Sequence, residues 1–218
     1  MIDPEAFIRA ETAPGRPPLV PEIELNLASA ITPIWQASEA RLAETGVAPP
    51  YWAFAWPGGQ TIARHLLDHR ALVRGRRVLD FAAGSGIGAI AAALAGAIKV
   101  EAAEIDPMAA AAIRLNAARN GVAVETLLDD LLTSDVAGRW DLVLAGDVCY
   151  ERPMAERAAR WLGGLARDGV RVLLADPGRA YLPKTGLGEL ARYRVPTSLE
   201  LEDRTERETV IYELLDSN

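Results

Sequence analysis

The sequence has few of the residues that build redox or metal sites. Cys149 is the single cysteine among 218 residues, so an intramolecular disulfide and a thiolate metal cluster are both excluded. The two histidines, His65 and His69, share a helix face at a spacing of four. No third ligand accompanies them, so we expect an ordinary, partly exposed helix surface there and no metal site.

Long apolar runs and an excess of basic residues are also missing. No uninterrupted apolar stretch reaches the roughly 18 residues that suggest a membrane span. The first five residues lack the basic and apolar character of a secretory signal. The formal charge of −7 disfavours nucleic acid as a partner, because nucleic-acid binders usually carry a basic surface. We therefore expect a cytoplasmic protein that contacts neither membrane nor nucleic acid.

The length and the half-hydrophobic composition fit one globular domain preceded by an extension. Residues 1–50 are interrupted by prolines and predict two elements. The first is a half-buried strand at 22–27, where apolar and polar residues alternate. The second is a helix at 32–44, with Thr32 as its N-cap. Residues 51–218 form the predicted main domain.

From Arg76 onward, strands and helices alternate along the sequence. This order predicts an α/β fold, doubly wound, with a mostly parallel seven-stranded sheet and ligands at the carboxyl ends of the strands. Two later segments, 198–202 and 208–214, alternate with period 2 and predict a C-terminal antiparallel hairpin. The other predicted elements are strands 77–81, 98–103, 123–128, 140–145 and 170–175 and helices 87–97, 107–119 and 153–167.

An aromatic segment precedes the first predicted strand of the main domain. It contains Tyr51, Trp52, Phe54 and Trp56 and leads into a Pro-Gly-Gly sequence at 57–59. Aromatic residues at this density usually belong to a core. The Pro-Gly-Gly sequence predicts a turn, which would instead leave Tyr51 or Trp56 lining a site.

Residues 76–88 carry the most informative pattern of the chain. An apolar strand ends at Asp80, and Gly84, Gly86 and Gly88 follow just before or within a predicted helix start. Glycine permits sharp turns and the close approach of a ligand, and the free N–H groups of a helix start favour a carboxylate or phosphate. We expect Gly86→Val to abolish ligand binding while the protein still folds.

Acidic residues at the strand ends distinguish between two ligand classes. The glycine spacing also fits the dinucleotide loop of nicotinamide-dependent dehydrogenases. Asp80 would repel a pyrophosphate but would pair with the ammonium of a methionine moiety. Glu104 ends the next strand, where an acid binds ribose hydroxyls in either class. Asp129 ends the third strand and either accepts from an adenine amine or lies in a solvated turn or helix cap.

Taken together, residues 78–88, 104–107 and 141–150 resemble the class I, seven-β-strand methyltransferases, and the resemblance covers roughly 51–218. Asp147 and Tyr150 match the acid-x-x-aromatic signature of the seven-β-strand protein-lysine methyltransferases, known as methyltransferase family 16. Residues 50–59 and 175–179 are similar to the branch that methylates lysines of the electron-transfer flavoprotein β-subunit.

The resemblance implies a Rossmann-like fold, S-adenosylmethionine as the methyl donor and a protein substrate, with the electron-transfer flavoprotein β-subunit as the best guess. One departure lies at 81–83, where Phe-Ala-Ala replaces the Leu-Gly-Ala or Leu-Gly-Cys of many relatives, and we expect a stiffer loop with the same ligand. The cofactor-binding residues that it implies are Asp80, Ala82, Gly84, Gly86, Gly88, Glu104, Ile105, Asp129 and Trp56.

The resemblance also assigns roles in methyl transfer. Alignment of the two reactants can contribute roughly 7–11 kcal/mol, but a lysine with a pKa of about 10.4 must first lose a proton. A carboxylate favours the charged ammonium, so we assign Asp147 to orienting the amine, and Tyr150 to walling the pocket. Alternatively, Asp147 caps the helix ahead of Pro153 and Tyr150 merely packs. Cys149, without a neighbouring base, is predicted to be a small buried residue.

Other interpretations stay open on sequence alone. The ribosomal protein L11 methyltransferases share the glycine loop but usually carry a separate substrate-binding domain, for which 50 residues are few. A nicotinamide-dependent oxidoreductase and a non-catalytic binder that kept the cofactor fold are further alternatives. The segment from Asp176 to Arg179 predicts either a turn or a substrate contact.

Overall fold

The computed structural model describes residues 3–28, 49–134, 136, 138–197, 202 and 204–215. The helices are α1 (Pro4–Glu11), α2 (Pro57–Asp68), α3 (Ile87–Leu94), α4 (Pro107–Arg119) and α5 (Arg152–Arg167). The strands are β1 (Ala13–Gly15), β2 (Leu25–Leu27), β3 (Arg77–Phe81), β4 (Lys99–Glu104), β5 (Glu125–Leu128), β6 (Leu142–Gly146), β7 (Arg171–Asp176), β8 (Leu187–Pro196) and β9 (Glu206–Leu214).

Seven strands form one sheet in the order β5-β4-β3-β6-β7-β9-β8. The first five in this order are parallel, whereas β9 is antiparallel to both β7 and β8. The predicted doubly wound α/β fold with an antiparallel C-terminal hairpin is confirmed. The strand order reverses between β3 and β6, which is where ligands bind in open α/β sheets.

The central strands are buried on both faces, as expected of parallel strands covered by helices. On one face, Val78 and Leu144 pack with α2 and α3, and on the other, Leu79 and Val143 pack with α5. Because β3, β4, β6 and β7 run parallel, their carboxyl ends lie along one edge of the sheet. The loops at that edge carry the residues predicted to be functional.

Residues at the helix ends explain which helix boundaries agree with the prediction and which do not. Asp106 caps α4 by accepting a hydrogen bond from the Met108 N–H at 2.8 Å, and Pro107 occupies the first turn. This helix ends at Arg119, as predicted. Helix α3 ends at Leu94 rather than at residue 97, because Gly96 adopts a φ of 101° that a helix cannot contain.

The N-terminal residues pack against α4. The predicted strand corresponds to β2, which pairs with β1. Asn26 was expected on the exposed face but is buried, because its backbone and side-chain N–H groups both donate to Asn116 Oδ1 at 2.8 Å. The predicted helix at 32–44 lies outside the described residues, and the division at residue 50 stays a prediction.

The C-terminal hairpin starts earlier than predicted. Its second strand is β9, close to the predicted 208–214, but its first strand is β8, at residues 187–196. The residues 198–201, which were predicted to form that strand, lie outside the described part of the chain. Strand β8 is an edge strand in which Ala191, Tyr193 and Val195 are less exposed than the intervening Arg192, Arg194 and Pro196. This alternation of period 2 was present in the sequence and was missed.

The two histidines do not form the exposed surface that was predicted. His65 is buried, and its Nδ1 lies 3.0 Å from the Tyr193 hydroxyl, whereas only His69 is exposed. Burial lowers the pKa of His65 to about 4. In the described ranges, no three His, Cys, Asp or Glu side chains are grouped to hold a metal. No helix within those ranges has the length and hydropathy needed to cross a bilayer.

Candidate active site

The loop between β3 and α3 is built from residues with left-handed backbone. Ala82, Gly84 and Gly86 have φ values of 52°, 54° and 77°. A Cβ added at Gly84 would meet no described atom within 4 Å, so the loop faces open space there. At Gly86, an added Cβ would lie 3.2 Å from the Ile113 side chain. The expectation that Gly86→Val would leave the fold intact is therefore wrong, because both the positive φ and this contact oppose a side chain.

Asp80 is buried beneath this loop and joins β3 to the start of α3. Its Oδ2 accepts a hydrogen bond from the Ala89 N–H at 2.8 Å. Burial raises the pKa of Asp80 to about 7. A Cβ at Gly88 would lie 2.9 Å from both carboxyl oxygens, so this glycine makes room for Asp80 rather than for a ligand. The predicted pairing of Asp80 with a ligand ammonium stays a prediction.

Glu104 connects the end of β4 to the glycine loop. One carboxyl oxygen accepts from the Gly84 N–H at 2.6 Å, and the other accepts from the Ile105 N–H at 3.2 Å. Burial raises the pKa of Glu104. The carboxyl group therefore lies at the open face of the loop, where its binding of ribose hydroxyls stays a prediction.

Exposed apolar side chains follow at the same edge of the sheet. Ile105 is 72% exposed and Leu128 is 55% exposed, and β4 and β5 place Glu104 opposite Leu128. Asp129 is exposed, and its backbone N–H donates to the Glu104 carbonyl at 3.1 Å. Asp130, rather than Asp129, caps the short helical turn that follows.

These features fit an adenosine ligand. An acid lies beside the open backbone at Gly84, and two uncovered apolar side chains adjoin it, as a ribose and a flat base require. The role of Asp129 in binding the adenine amine stays a prediction.

Asp147 lies at the end of β6 with a φ of 58°. Its Oδ2 accepts from the Gly59 N–H at 3.0 Å, and its own N–H donates to the Ala175 carbonyl at 3.1 Å. Its Oδ1 is buried and has no hydrogen-bond partner among the described residues. Burial raises the pKa of Asp147 to about 7, although the Gly59 N–H and the Arg179 charge oppose this. The N-cap position of helix α5 is Glu151, which makes no capping side-chain hydrogen bond, so the alternative role of Asp147 as the cap of this helix is wrong.

The Pro-Gly-Gly sequence forms the first turn of α2 rather than the predicted turn between elements. A Cβ at Gly58 would lie 2.6 Å from Asp147 Oδ2 and 2.7 Å from the Ala175 carbonyl. A Cβ at Gly146 would lie 2.9 Å from the Gly59 nitrogen. Sequence reasoning missed these positioning glycines. A signal was present in Trp56-Pro57, because proline at the first position of a helix is common.

Three aromatic rings that are exposed or partly exposed lie close together. The Tyr51 ring centroid lies 5.5 Å from that of Tyr150 and 6.2 Å from that of Trp56. Tyr150 is 47% exposed and Tyr51 is 46% exposed, whereas Trp52 and Phe54 are buried in the core. Trp52 and Phe54 therefore belong to the core, as one interpretation predicts, whereas the role of Tyr51 or Trp56 in lining a site stays a prediction. Burial raises the pKa of Tyr150 to about 12, so it is neutral at physiological pH.

The loop after β7 is a turn, as one of its two interpretations predicts. Asp176 Oδ1 accepts from the backbone N–H groups of Gly178 and Arg179 at 2.7 and 2.6 Å. Cys149 is buried, as predicted, and burial raises its pKa to about 12. The thiol is therefore protonated and unreactive at neutral pH.

Comparison with known proteins agrees with this geometry. The sequence model of the family described as ribosomal protein L11 methyltransferase (PrmA) matches residues 62–147. The magnesium protoporphyrin IX methyltransferase of Synechocystis, solved with bound SAH, has a similar fold. The TM-score is 0.54 at 20% identity, covering 73% of this chain and 83% of that one.

Two curated relatives extend over most of the chain. The electron transfer flavoprotein beta subunit lysine methyltransferase of Xenopus laevis is 38% identical over 205 residues, covering 92% of this chain and 82% of the relative. The human protein of the same name is 38% identical over 182 residues, covering 82% of this chain and 68% of the relative. At this identity and coverage, the chain belongs to the electron transfer flavoprotein β-subunit lysine methyltransferase family, within the class I methyltransferases.

Proposed function

We propose that this chain transfers a methyl group from S-adenosylmethionine to a lysine amine of a protein, and that this protein is the electron-transfer flavoprotein β-subunit. The observation that carries the proposal is Asp147. One of its carboxyl oxygens is fixed by the N-terminus of α2, and the other is buried without a partner among the described residues. Such an acceptor is costly unless a ligand donates to it.

The cofactor fits the edge of the sheet beside Asp147. Its proposed ligands are Glu104 for the ribose, Ile105 for the base, and the backbone of Ala82, Gly84 and Gly86. Asp80 and Gly88 support the loop from below, and Asp80 also pairs with the amino-acid end of the ligand. Asp129 and Trp56 complete the proposed set at the two ends of the site.

The bound cofactor would supply an already activated methyl group, so the protein's task is alignment and the exclusion of water. Asp147 accepts an N–H of the lysine and fixes its direction. Tyr51, Trp56 and Tyr150 surround the amine with aromatic faces, which bind cations and keep the pocket dry. A carboxylate favours the charged ammonium form of the lysine, so Asp147 does not remove its proton. The lysine instead loses this proton to solvent before the methyl transfer.

Labelling tests the proposal directly. The protein is incubated with tritiated S-adenosylmethionine and purified electron-transfer flavoprotein, and the labelled residue is identified by mass spectrometry. The expected result is methylated lysine in the β-subunit. Label confined to RNA or small molecules would contradict a protein substrate.

A second candidate substrate is ribosomal protein L11. The match of residues 62–147 to the L11 methyltransferase family favours it, although that match covers the cofactor half of the domain. The same labelling with purified L11 separates the two, because the proposal predicts that the flavoprotein is the better substrate by kcat/KM.

The sequence also left a nicotinamide ligand open as the alternative to the methyl donor, and thermal shift with S-adenosylhomocysteine and with NADH distinguishes them. A ligand at 100 times its Kd stabilises by about 2.7 kcal/mol, so only S-adenosylhomocysteine should raise the Tm. We also propose a cytoplasmic location and a division at residue 50 between an N-terminal extension and the methyltransferase domain.

A further inference from the structure

Asp176 lies beside Asp147 at the edge of the sheet. Strands β6 and β7 are parallel, with Gly146 opposite Ala175. The residues that follow on the two strands are Asp147 and Asp176. Their backbones therefore lie about 4.8 Å apart, which is the spacing of neighbouring strands. The hydrogen bond from the Asp147 N–H to the Ala175 carbonyl keeps them together. Burial is the largest cause that raises the pKa of Asp147, and the charge of the nearby Asp176 carboxyl also raises it.

The carboxyl group of Asp176 is fully buried and divides its oxygens between two tasks. Oδ1 holds the turn by accepting from the N–H groups of Gly178 and Arg179. Oδ2 is buried and has no hydrogen-bond partner among the described residues. The arrangement is rigid, because the Arg179 side chain donates to Glu202, which also accepts from Arg207 Nε at 2.9 Å.

Besides these two backbone N–H groups, the Cys149 thiol is a donor close to this carboxyl, and it helps to lower the pKa of Asp176 against the effect of burial. A thiol is a weak donor. An amine is a stronger donor and would compete successfully for Oδ2.

The two unpartnered oxygens match the needs of an amine that must attack in one direction. A neutral primary amine has two N–H bonds and one lone pair. A single acceptor leaves the amine free to rotate about that hydrogen bond, whereas two fixed acceptors hold both N–H bonds and so aim the lone pair.

We propose that Asp176 is the second amine-binding carboxylate of the active site, which rests on the proposed function. Asp176 Oδ2 and Asp147 Oδ1 each accept one N–H of the substrate lysine. The substrate ammonium first loses its third proton to water, the lone pair of the neutral amine then forms the N–C bond, and the S–C bond of the sulfonium donor breaks.

The variant Asp176→Asn tests this assignment. Asparagine keeps one side-chain oxygen to hold the turn and replaces Oδ2 by an NH₂ donor. The expected result is a kcat for lysine methylation lower by about 10²-fold, with unchanged affinity for S-adenosylhomocysteine. Asp176→Ser is a second variant that keeps a turn-holding hydroxyl and is expected to lose kcat in the same way.

Two controls make the test specific. Asp3 holds the start of α1 as Asp176 holds its turn, with Oδ1 accepting from the N–H groups two and three residues ahead, and Asp3→Asn should retain full kcat. Cys149→Ala should retain it too.

A wild-type kcat in folded Asp176→Asn or Asp176→Ser would overturn this inference alone. A loss in Cys149→Ala equal to that in Asp176→Asn would also overturn it, because the thiol would then be the partner of Oδ2. Wild-type protein that methylates no lysine would overturn the proposed function itself.

Discussion

Asp147 and Gly59 are 88 residues apart in the sequence, yet the Gly59 N–H donates to Asp147 Oδ2 at 3.0 Å. The bond joins the first turn of α2 to the end of β6. Because a helix N-terminus carries free N–H groups and a partial positive charge, it fixes one oxygen of the carboxylate, and the other has no partner among the described residues. The position of the proposed amine-binding acid thus depends on a helix that precedes the glycine loop.

Replacing Gly58 tests this dependence. In Gly58→Ala, the new Cβ would lie 2.6 Å from Asp147 Oδ2 and 2.7 Å from the Ala175 carbonyl, so the acid or the helix must move. We expect a loss in kcat of about 10²-fold, as for a misplaced reactant, with retained affinity for S-adenosylhomocysteine. Steady-state methylation and calorimetry measure the two quantities.

The matched control is Gly163→Ala within α5, where an added Cβ meets no described atom within 4 Å. Alanine is the better helix former by about 1 kcal/mol, so this variant should keep full activity and gain stability. Equal kcat in both variants would contradict the positioning role of Gly58.

Ala82 lies in the loop that follows β3, and its φ of 52° is costly for a residue with a Cβ. Ala82→Gly should therefore raise the free energy of unfolding, by up to about 1 kcal/mol after the entropy cost of glycine. Ala83→Gly is the control, since its φ is not positive, and it should lower stability. Urea denaturation compares the two variants, and a less stable Ala82→Gly would show that the loop carries no such strain.

The buried carboxyl of Asp80 predicts how stability varies with pH. Its pKa is about 7 in the folded protein and about 3.9 in the unfolded chain. Its contribution to stability is thus fully present below about pH 3.9 and is lost as the pH rises through 7. Asp80→Asn cannot titrate. We expect the unfolding free energy of the wild type, relative to Asp80→Asn, to fall by up to about 1.4 kcal/mol per pH unit between pH 4 and 7.

Denaturation at several pH values between 5 and 8 checks this, with Asp141→Asn as the control. Hydrogen bonds from Arg77 lower the pKa of Asp141 to about 2, so its contribution is constant over that range and the difference from wild type should be flat. A flat difference for Asp80→Asn would show that Asp80 is not buried as described.

Much of this fold could be predicted because its signals are local. Strand β3 matches its prediction at 77–81, since a short apolar run bounded by charge and glycine defines it. Helix α4 matches because Asp106-Pro107 caps it. Strand β8 was not identified, since a bulge between Glu189 and Ala191 interrupts the period-2 pattern that its second half follows.

The candidate site could be predicted from the sequence only in part. The positions of Glu104, Asp147 and Tyr150 at the carboxyl edge follow from strand ends that the sequence marks clearly. The roles of Gly58 and Gly88 do not follow, because each glycine is required by a contact with a carboxyl group from another element. Sequence spacing shows where the backbone turns, but it does not show which side chain from another element will lie against that turn.

The pH dependence of activity follows from the groups that must lose protons. Asp147 accepts an N–H best as a carboxylate, and burial raises its pKa to about 7, while the lysine titrates at about 10.4. Burial also raises the pKa of Asp176, which must be ionised too when it binds the amine. A plot of log kcat/KM against pH should therefore rise more steeply below pH 7 than above it. In Asp147→Asn, the break near pH 7 should vanish. Its persistence in that variant would assign the break to another group.

The most direct measurement is the single-turnover rate of methyl transfer to the flavoprotein β-subunit by wild type and by Asp147→Asn, with the Kd of S-adenosylhomocysteine determined for both. Asparagine keeps an oxygen for Gly59 but presents a donor, or loses the helix contact, where the lysine N–H must bind. The account predicts a rate lower by about 10²-fold at unchanged cofactor affinity. Wild-type rates in Asp147→Asn would contradict it.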